Sequence, residues 1–188
     1  MSSGAFRIGS DILVMKAGFH GREGLDEIIR RKQEEEAAVG HTYWGYGGTL
    51  CHPRVVQAFA GEAAAGGRTV GVLFVVTESP FFGDPSAAAE FSGDGQSWRP
   101  FPDGARVTSS RYALVLRNLR PCRHALPLGD YRVAQGPSAG RPLAEYLRYR
   151  VDKAVARVVP AAERNGSAAV TVAFRAELVP PYSVFVRA

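Results

Sequence analysis

The sequence is poor in the residues that tie folds together covalently or through metals. Only two cysteines, Cys51 and Cys122, occur in 188 residues, which excludes a disulfide framework. With His52 and His124 they would be the natural zinc ligands. Cys51 and His52 are adjacent, however, and Cys122-x-His124 lacks the usual spacing of two or more between paired ligands. No zinc signature results, and no metal or other cofactor is expected. No apolar run is long enough to cross a bilayer as a helix, and no leader-like segment stands out. These absences lead to the expectation of a soluble, cytoplasmic protein with no membrane partner. No repeated strand–helix unit runs along the chain, which argues against a doubly wound sheet.

What is present is a hydrophobic fraction of 46% and a formal net charge of +5. The first is enough for one domain with a proper core. The second favours polyanionic partners such as nucleic acid, although arginine usage in a GC-rich coding background produces the same balance.

The stretch from Gly40 to Pro53 concentrates chemistry. It holds Tyr43, Trp44 and Tyr46, the histidines His41 and His52, Cys51, and the glycines Gly45, Gly47 and Gly48. Glycines this close imply a backbone that bends sharply or lies against something. Pro53 suits the first turn of a helix, here expected through Val55, Val56, Phe59, Ala60 and Ala63 to Gly66-Gly67. A glycine loop feeding a helix start attracts anions through unpaired N–H groups and the helix dipole. Thr49, Gly47 and Gly48 are therefore candidate phosphate contacts, and Tyr43, Trp44 and Tyr46 candidate base-stacking rings. His41 or His52 would serve as acid–base group because histidine titrates near neutrality. Cys51, beside His52 and a helix start, is a candidate nucleophile. The competing reading makes Cys51 a small buried hydrophobe and the aromatics core plugs. Tyr46-Gly47-Gly48-Thr49, following His41, resembles the Tyr-x-Gly-Thr strand that opens the NAD site of some ADP-ribosyltransferases. The resemblance covers this loop alone. No pattern places the downstream tyrosine and catalytic glutamate, Glu145 and Glu177 being merely available, so it identifies no family.

Along the rest of the chain, Phe6 to Met15 contains the apolar run Ile12–Met15 and predicts a strand buried on both faces. Leu25 to Val39 predicts a helix ended by Gly40, its Arg30-Arg31-Lys32 and Glu34-Glu35-Glu36 forming a solvated charged face. Arg68 to Thr77 gives the strongest strand signal and should be central. The insert 78–105 mixes prolines, glycines and aromatics and is expected to act as a lid or flap. Within it, Ser92 to Trp98 predicts a hairpin turn flanked by short aromatic strands. That turn is similar to the Asp-box hairpin of sialidase-like propellers, but it occurs once and a propeller needs repeats. Strands are expected over Val107–Leu119, Leu126–Ala134, Ala169–Leu178 and Tyr182–Val186. A second glycine-rich loop, 136–142, leads into a helix over Leu143–Val159, with Leu143, Leu147, Val151, Ala154 and Val158 on one face. Tyr146, Arg150, Lys153 and Arg157 would then form a basic row beside that stripe.

These readings add up to one α+β domain over residues 5–188. They give it a mixed or antiparallel sheet of about five to six strands, about three helices and a hairpin-like insert. Its expected function is binding of, and chemistry on, a phosphate-bearing ligand, a nucleotide or nucleic acid, as a transferase or hydrolase. The ligand would lie between the glycine loop 45–49 and the loop 136–141, where Ser138, Arg141 and Arg150 add contacts. The alternative is a non-enzymatic interaction or structural domain whose 40–53 stretch is buried core.

Overall fold

The apolar run Ile12–Met15 lies within strand β1 (Asp11–His20), which opens a computed structural model describing residues 9–20, 23–81, 86–148 and 151–188. Helix α1 (Leu25–Val39), strand β2 (Thr42–Tyr46) and helix α2 (Pro53–Ala65) follow. They lead to β3 (Gly71–Phe81), which returns to pair with β1 in parallel. The insert contributes β4 (Glu90–Ser92) and β5 (Arg99–Pro100). Then come β6 (Tyr112–Pro127), β7 (Tyr131–Val133), α3 (Leu143–Tyr146), β8 (Lys153–Val158) and β9 (Ala169–Arg187). The result is one α+β domain with three helices and a mixed nine-stranded sheet. Its main order is β2-β6-β9-β3-β1-β8-β7, with β4 and β5 attached to β9. The sheet is open.

Three packed clusters share this sheet. One face carries α1 and α2 over Leu13, Val72, Phe74, Leu114 and Phe174. On the other face, α3 and the curled ends of β6 and β9 cover Ile12, Val14 and Leu73. At the β2 end of that second face, the insert seals Tyr43, Ala113, Val115 and Val184 under Phe91, Phe101 and Val107.

The strand count exceeds the expected five to six, and the surplus has identifiable sources. The expected helix over Leu143–Val159 is a single turn, α3, followed by β8. The valines and alanines from 154 to 158 satisfy both periods: Lys153, Val155 and Arg157 face α2, while Ala154, Ala156 and Val158 face the other side. β8 lies between β1 and β7, and a strand flanked on both edges takes β-branched residues readily. Among the described residues the basic helical row therefore does not form, since Tyr146 ends α3 while Lys153 and Arg157 belong to β8. The breaks expected at Arg120–His124 and Pro180-Pro181 are continuous strand. β2 pairs with β6 only over residues 112–116, so at Pro121 β6 has a partner strand, β9, on one edge only. On β9, β3 takes residues 174–177 and β4 takes 185–187, and the prolines fall in the gap between them.

The hairpin turn in the insert is as expected. Asp94 accepts hydrogen bonds from the Ser97 and Gln96 amides and from the Ser92 and Ser97 hydroxyls, which hold its carboxyl well below the usual carboxylate range. The described part of the insert is docked, since β4 pairs with Phe185–Arg187 and Ala87 bridges to Thr108.

The charged run on α1 is only partly solvated. Arg30 and Glu34 pair in the open at 2.6 Å. Lys32 and Glu35 are instead buried, 4% and 3% exposed. Lys32 Nζ donates to Glu35 Oε2 at 2.8 Å and to the Arg106 carbonyl at 2.7 Å. Glu35 Oε1 accepts from the Tyr43 amide at 2.7 Å and the Thr42 hydroxyl at 2.9 Å. Next along the helix, Glu36 accepts from the Asn118 and Leu119 amides. Sequence periodicity offers no sign of this, because the carboxylates replace strand partners that β2 and β6 lack on that edge.

A second network ties β1 to β8. Asp11, 1% exposed, accepts from Arg68 Nε at 2.6 Å and Arg157 Nε at 2.8 Å. Burial by itself would push the Asp11 carboxyl up. Hydrogen bonds from Arg157, Arg68 and Ser10 outweigh it and hold the group below its ordinary value of 3.8.

Two outcomes are expected. Glu35→Ala should cost about 3–5 kcal/mol in urea unfolding, because it strands a buried ammonium and the amides of Tyr43 and Arg106, the second of which donates to Glu35 Oε2 at 3.3 Å. Glu34→Ala should cost less than about 1 kcal/mol. For Asp11, the unfolded chain takes up the proton first. Its stabilisation is therefore complete above the ordinary value of 3.8 and is lost as pH falls through the lower folded value. The stability difference between wild type and Asp11→Asn should thus be constant near neutrality and shrink below that value.

Candidate functional site

The stretch 40–53 splits into a buried strand and an exposed turn. Thr42, Tyr43 and Tyr46 are buried, and the Trp44 ring lies 4.7 Å from Phe74 and 5.4 Å from Phe174, centroid to centroid. Gly45 has a packing reason, since a Cβ there would overlap the Ser110 side chain. Burial pushes the Tyr43 hydroxyl up to about 12 and the Tyr46 hydroxyl further still. Tyr46 Oη donates at 2.6 Å to the Cys51 carbonyl and shares a 2.8 Å hydrogen bond with Ser183 Oγ. Tyr43 and Tyr46 are committed to the core and are not presented for stacking on a base, while Trp44 is half-buried against it.

The turn is reachable from solvent. Gly48 and Thr49 are exposed, while Gly47 and Leu50 are half-buried. Gly48 adopts φ +82° and Cys51 φ +53°, the left-handed turns that swing the chain from β2 into α2. The first N–H groups of α2 are already taken. Pro53 has none, Arg54 N donates to His52 Nδ1 at 3.4 Å, and Val55 and Val56 donate to the His52 carbonyl at 2.8 and 3.2 Å. An anion here would meet the amides of the turn rather than those of the helix.

The sequence pattern missed the cation beside that turn. Lys153, at the start of β8, is 3% exposed. Its Nζ stands 3.8 Å from where a Gly48 Cβ would be, 5.8 Å from the Tyr46 ring centroid and 2.6 Å from Asp152 Oδ1. Asp152 is half-exposed on the side chain, 53%. A helical reading of 143–159 hides this, because it sends Lys153 to an outer edge. A strand reading aims it across the sheet at α2.

The candidate acid–base and nucleophilic groups are not assembled together. His41 hydrogen-bonds through Nε2 to Tyr43 Oη at 3.0 Å, on the insert-covered face. His52 lies at the opposite end of β2, its ring edge-on to Tyr112 and Phe185. Cys51 is half-buried against the main core, and burial pushes its thiol up to about 12. From the second loop, Ser138 is half-buried and Arg141 exposed. That loop closes on β7, with Val133 N donating to the Arg141 carbonyl and Gly140 N to the Val133 carbonyl. Arg150 lies outside the described residues. Glu177 is engaged with Asn118 Nδ2 at 3.1 Å and Arg117 at 3.7 Å. Among the described residues no group of three or more His, Cys, Asp or Glu is placed to hold a metal. No helix in the described residues is long and apolar enough to cross a membrane.

The insert reaches this end of the molecule. Gln57 on α2 donates to the Gly93 carbonyl at 2.8 Å and the Ser183 carbonyl at 2.7 Å. Gly95 lies against the Phe185 ring, which in turn packs on His52. The hairpin turn 92–97 is thus one side chain away from the start of α2.

Comparison with family models, with curated proteins and with solved structures finds no match for this chain.

The Cys51 environment sets an expectation for reactivity. Moving a thiol from an ordinary 9.0 to about 12 cuts its thiolate fraction at pH 8 roughly a thousandfold. Alkylation by iodoacetamide, followed by mass spectrometry, should be at least a hundredfold slower at Cys51 in the folded protein than in urea.

Proposed function

We propose that this protein binds a small phosphate-bearing ligand, a nucleotide, at the turn Gly47–Leu50, with Lys153 as its counter-charge. The observation that carries the reading is the Lys153 ammonium, held beside a glycine turn with exposed backbone. A phosphate would accept hydrogen bonds from the turn amides and take the place of Asp152, whose exposed carboxylate now neutralises the lysine. The insert serves as the lid, since its 92–97 turn rests on Gln57 and Phe185 next to the start of α2. His52 is the histidine nearest the turn and the acid–base group of any reaction run there. The protein as a whole is a cytoplasmic, nucleotide-directed transferase or hydrolase in this reading. Nucleic acid is a second source of the same phosphate.

A second reading is favoured by the burial of Tyr43 and Tyr46 and by the packing of the half-buried Trp44 on the main core. In it the 40–53 stretch is core and the domain is a non-enzymatic interaction module, its glycines serving only the turn.

Amide NMR titration with inorganic phosphate, AMP and a single-stranded oligonucleotide separates these. Binding at the turn should shift Gly47, Gly48 and Thr49 saturably at millimolar ligand and slow hydrogen exchange at Ser92–Ser97. Lys153→Met should weaken it at least about tenfold, or ~1.4 kcal/mol. Trp44→Ala should cost about 3–5 kcal/mol of stability and leave affinity unchanged. Absence of shifts at all three amides removes the phosphate site and leaves the interaction module.

A further inference from the structure

The face of the sheet away from α1 and α2 holds a cavity of about 280 Å3. It exists because two coverings of that face do not meet. The distal ends of β6 and β9 curl over it and bring Leu128 and Val170, while the short α3 covers it with Leu147. The sheet supplies the floor through Val14 on β1 and Val75 on β3. Small residues leave the gap open where larger ones would close it: Ala144 on α3, and Ala168 and Ala169 at the entry to β9. Ala168, Ala169 and Arg148 are exposed, so the mouth of the cavity opens to solvent beside them.

The wall is aliphatic, and its two charged residues, Lys16 and Arg148, already have partners of their own. Lys16 Nζ donates to the Leu147 carbonyl at 2.6 Å, which holds the ammonium where β1 meets α3. An anionic guest would lose its water and then compete with those existing partners. A cationic guest would be repelled. A sugar or nucleoside would press unpaired hydroxyls against Val14, Val75 and Val170, and buried polar groups without partners are costly. Among the described residues none that lines the cavity carries an aromatic ring, so a flat aromatic guest gains no ring-on-ring contact. What remains favourable is the burial of apolar surface with no head group to satisfy. An apolar cavity of about 150 Å3 stays dry and takes up benzene. One of about 280 Å3 therefore has room for roughly ten carbon atoms.

We propose that this cavity is a binding site for a small neutral aliphatic molecule, a saturated skeleton of up to roughly ten carbon atoms with no charged head. The site shares no residue with the glycine turn and is independent of the phosphate reading.

The test is a methyl NMR titration of the full chain, with Val and Leu methyls labelled, using cyclohexane, benzene, cyclohexanecarboxylate and cyclohexylammonium as probes. Cyclohexane should shift the methyls of Val14, Val75, Leu147 and Val170 saturably, with a Kd below about 1 mM. Benzene should bind no more tightly, and the two charged probes at least about tenfold more weakly. Val75→Phe should abolish the cyclohexane shifts by filling the floor. If Val75→Phe does not fold, Ala144→Leu closes the cavity from the α3 side and should weaken cyclohexane at least about tenfold. Four results overturn the proposal: no saturable shift with cyclohexane, a charged probe binding as tightly as cyclohexane, benzene binding more tightly, or cyclohexane affinity unchanged in the folded filling variant. Shifts spread evenly over the methyls of all three core clusters overturn it too, since they show partition into the protein at large and no site.

Discussion

One carboxylate holds the architecture at its least regular point. Glu35 sits inside the protein with Lys32 for charge and with the Tyr43 amide, the Thr42 hydroxyl and the Arg106 amide for hydrogen bonds. β2 is an edge strand, and an edge exposes backbone groups that invite pairing with another chain. Here α1 lies along that edge, and Glu35 does for Tyr43 what a neighbouring strand would do. Glu36 does the same for Asn118 and Leu119, further along β6. The helix therefore closes the sheet by its acidic side chains rather than by apolar packing alone. The register of β2, the seat of the aromatic rings and the exit of the insert at Arg106 all follow from that contact.

Composition and periodicity made the class, the helices α1 and α2, the central strand β3 and the hairpin turn of the insert readable. They failed where one pattern satisfies two periods. Leu143, Leu147, Val151, Ala154 and Val158 lie on one face of a helix, yet Ala154, Ala156 and Val158 also lie on one face of a strand. Only the partners at each edge, β1 and β7, decide between them. The prolines misled for a related reason. Pro121 and the pair at 180–181 break a strand only if both of its edges are paired at that point, and pairing is a tertiary fact. For the candidate site the loss was larger, because Lys153 is far from Gly48 in sequence and no local pattern joins them.

The aromatic stretch shows how a chemically rich sequence can serve two ends within a few residues. Tyr43, Trp44 and Tyr46 alternate along β2, so the first feeds the insert-covered cluster and the other two the main core. Tyr46 turns its hydroxyl toward Cys51 and Ser183, which ties the turn to β9 as well as to β2. The turn is thus a surface feature anchored from beneath by the Tyr46 ring.

The placement of β9 has a consequence for how the chain is made. β9 joins β6 to β3 and also receives β4, so it is the seam between the β2-β6 half of the sheet and the β3-β1-β8-β7 half. It is also the last of the nine strands to leave the ribosome. Until residues 169–187 emerge, two half-sheets carry unsatisfied inner edges and apolar faces with nothing between them. Contacts of such long range close slowly, and exposed edges in waiting are where nascent chains aggregate. Translation stopped just short of that strand would therefore leave two open halves for the quality-control machinery rather than a smaller working domain.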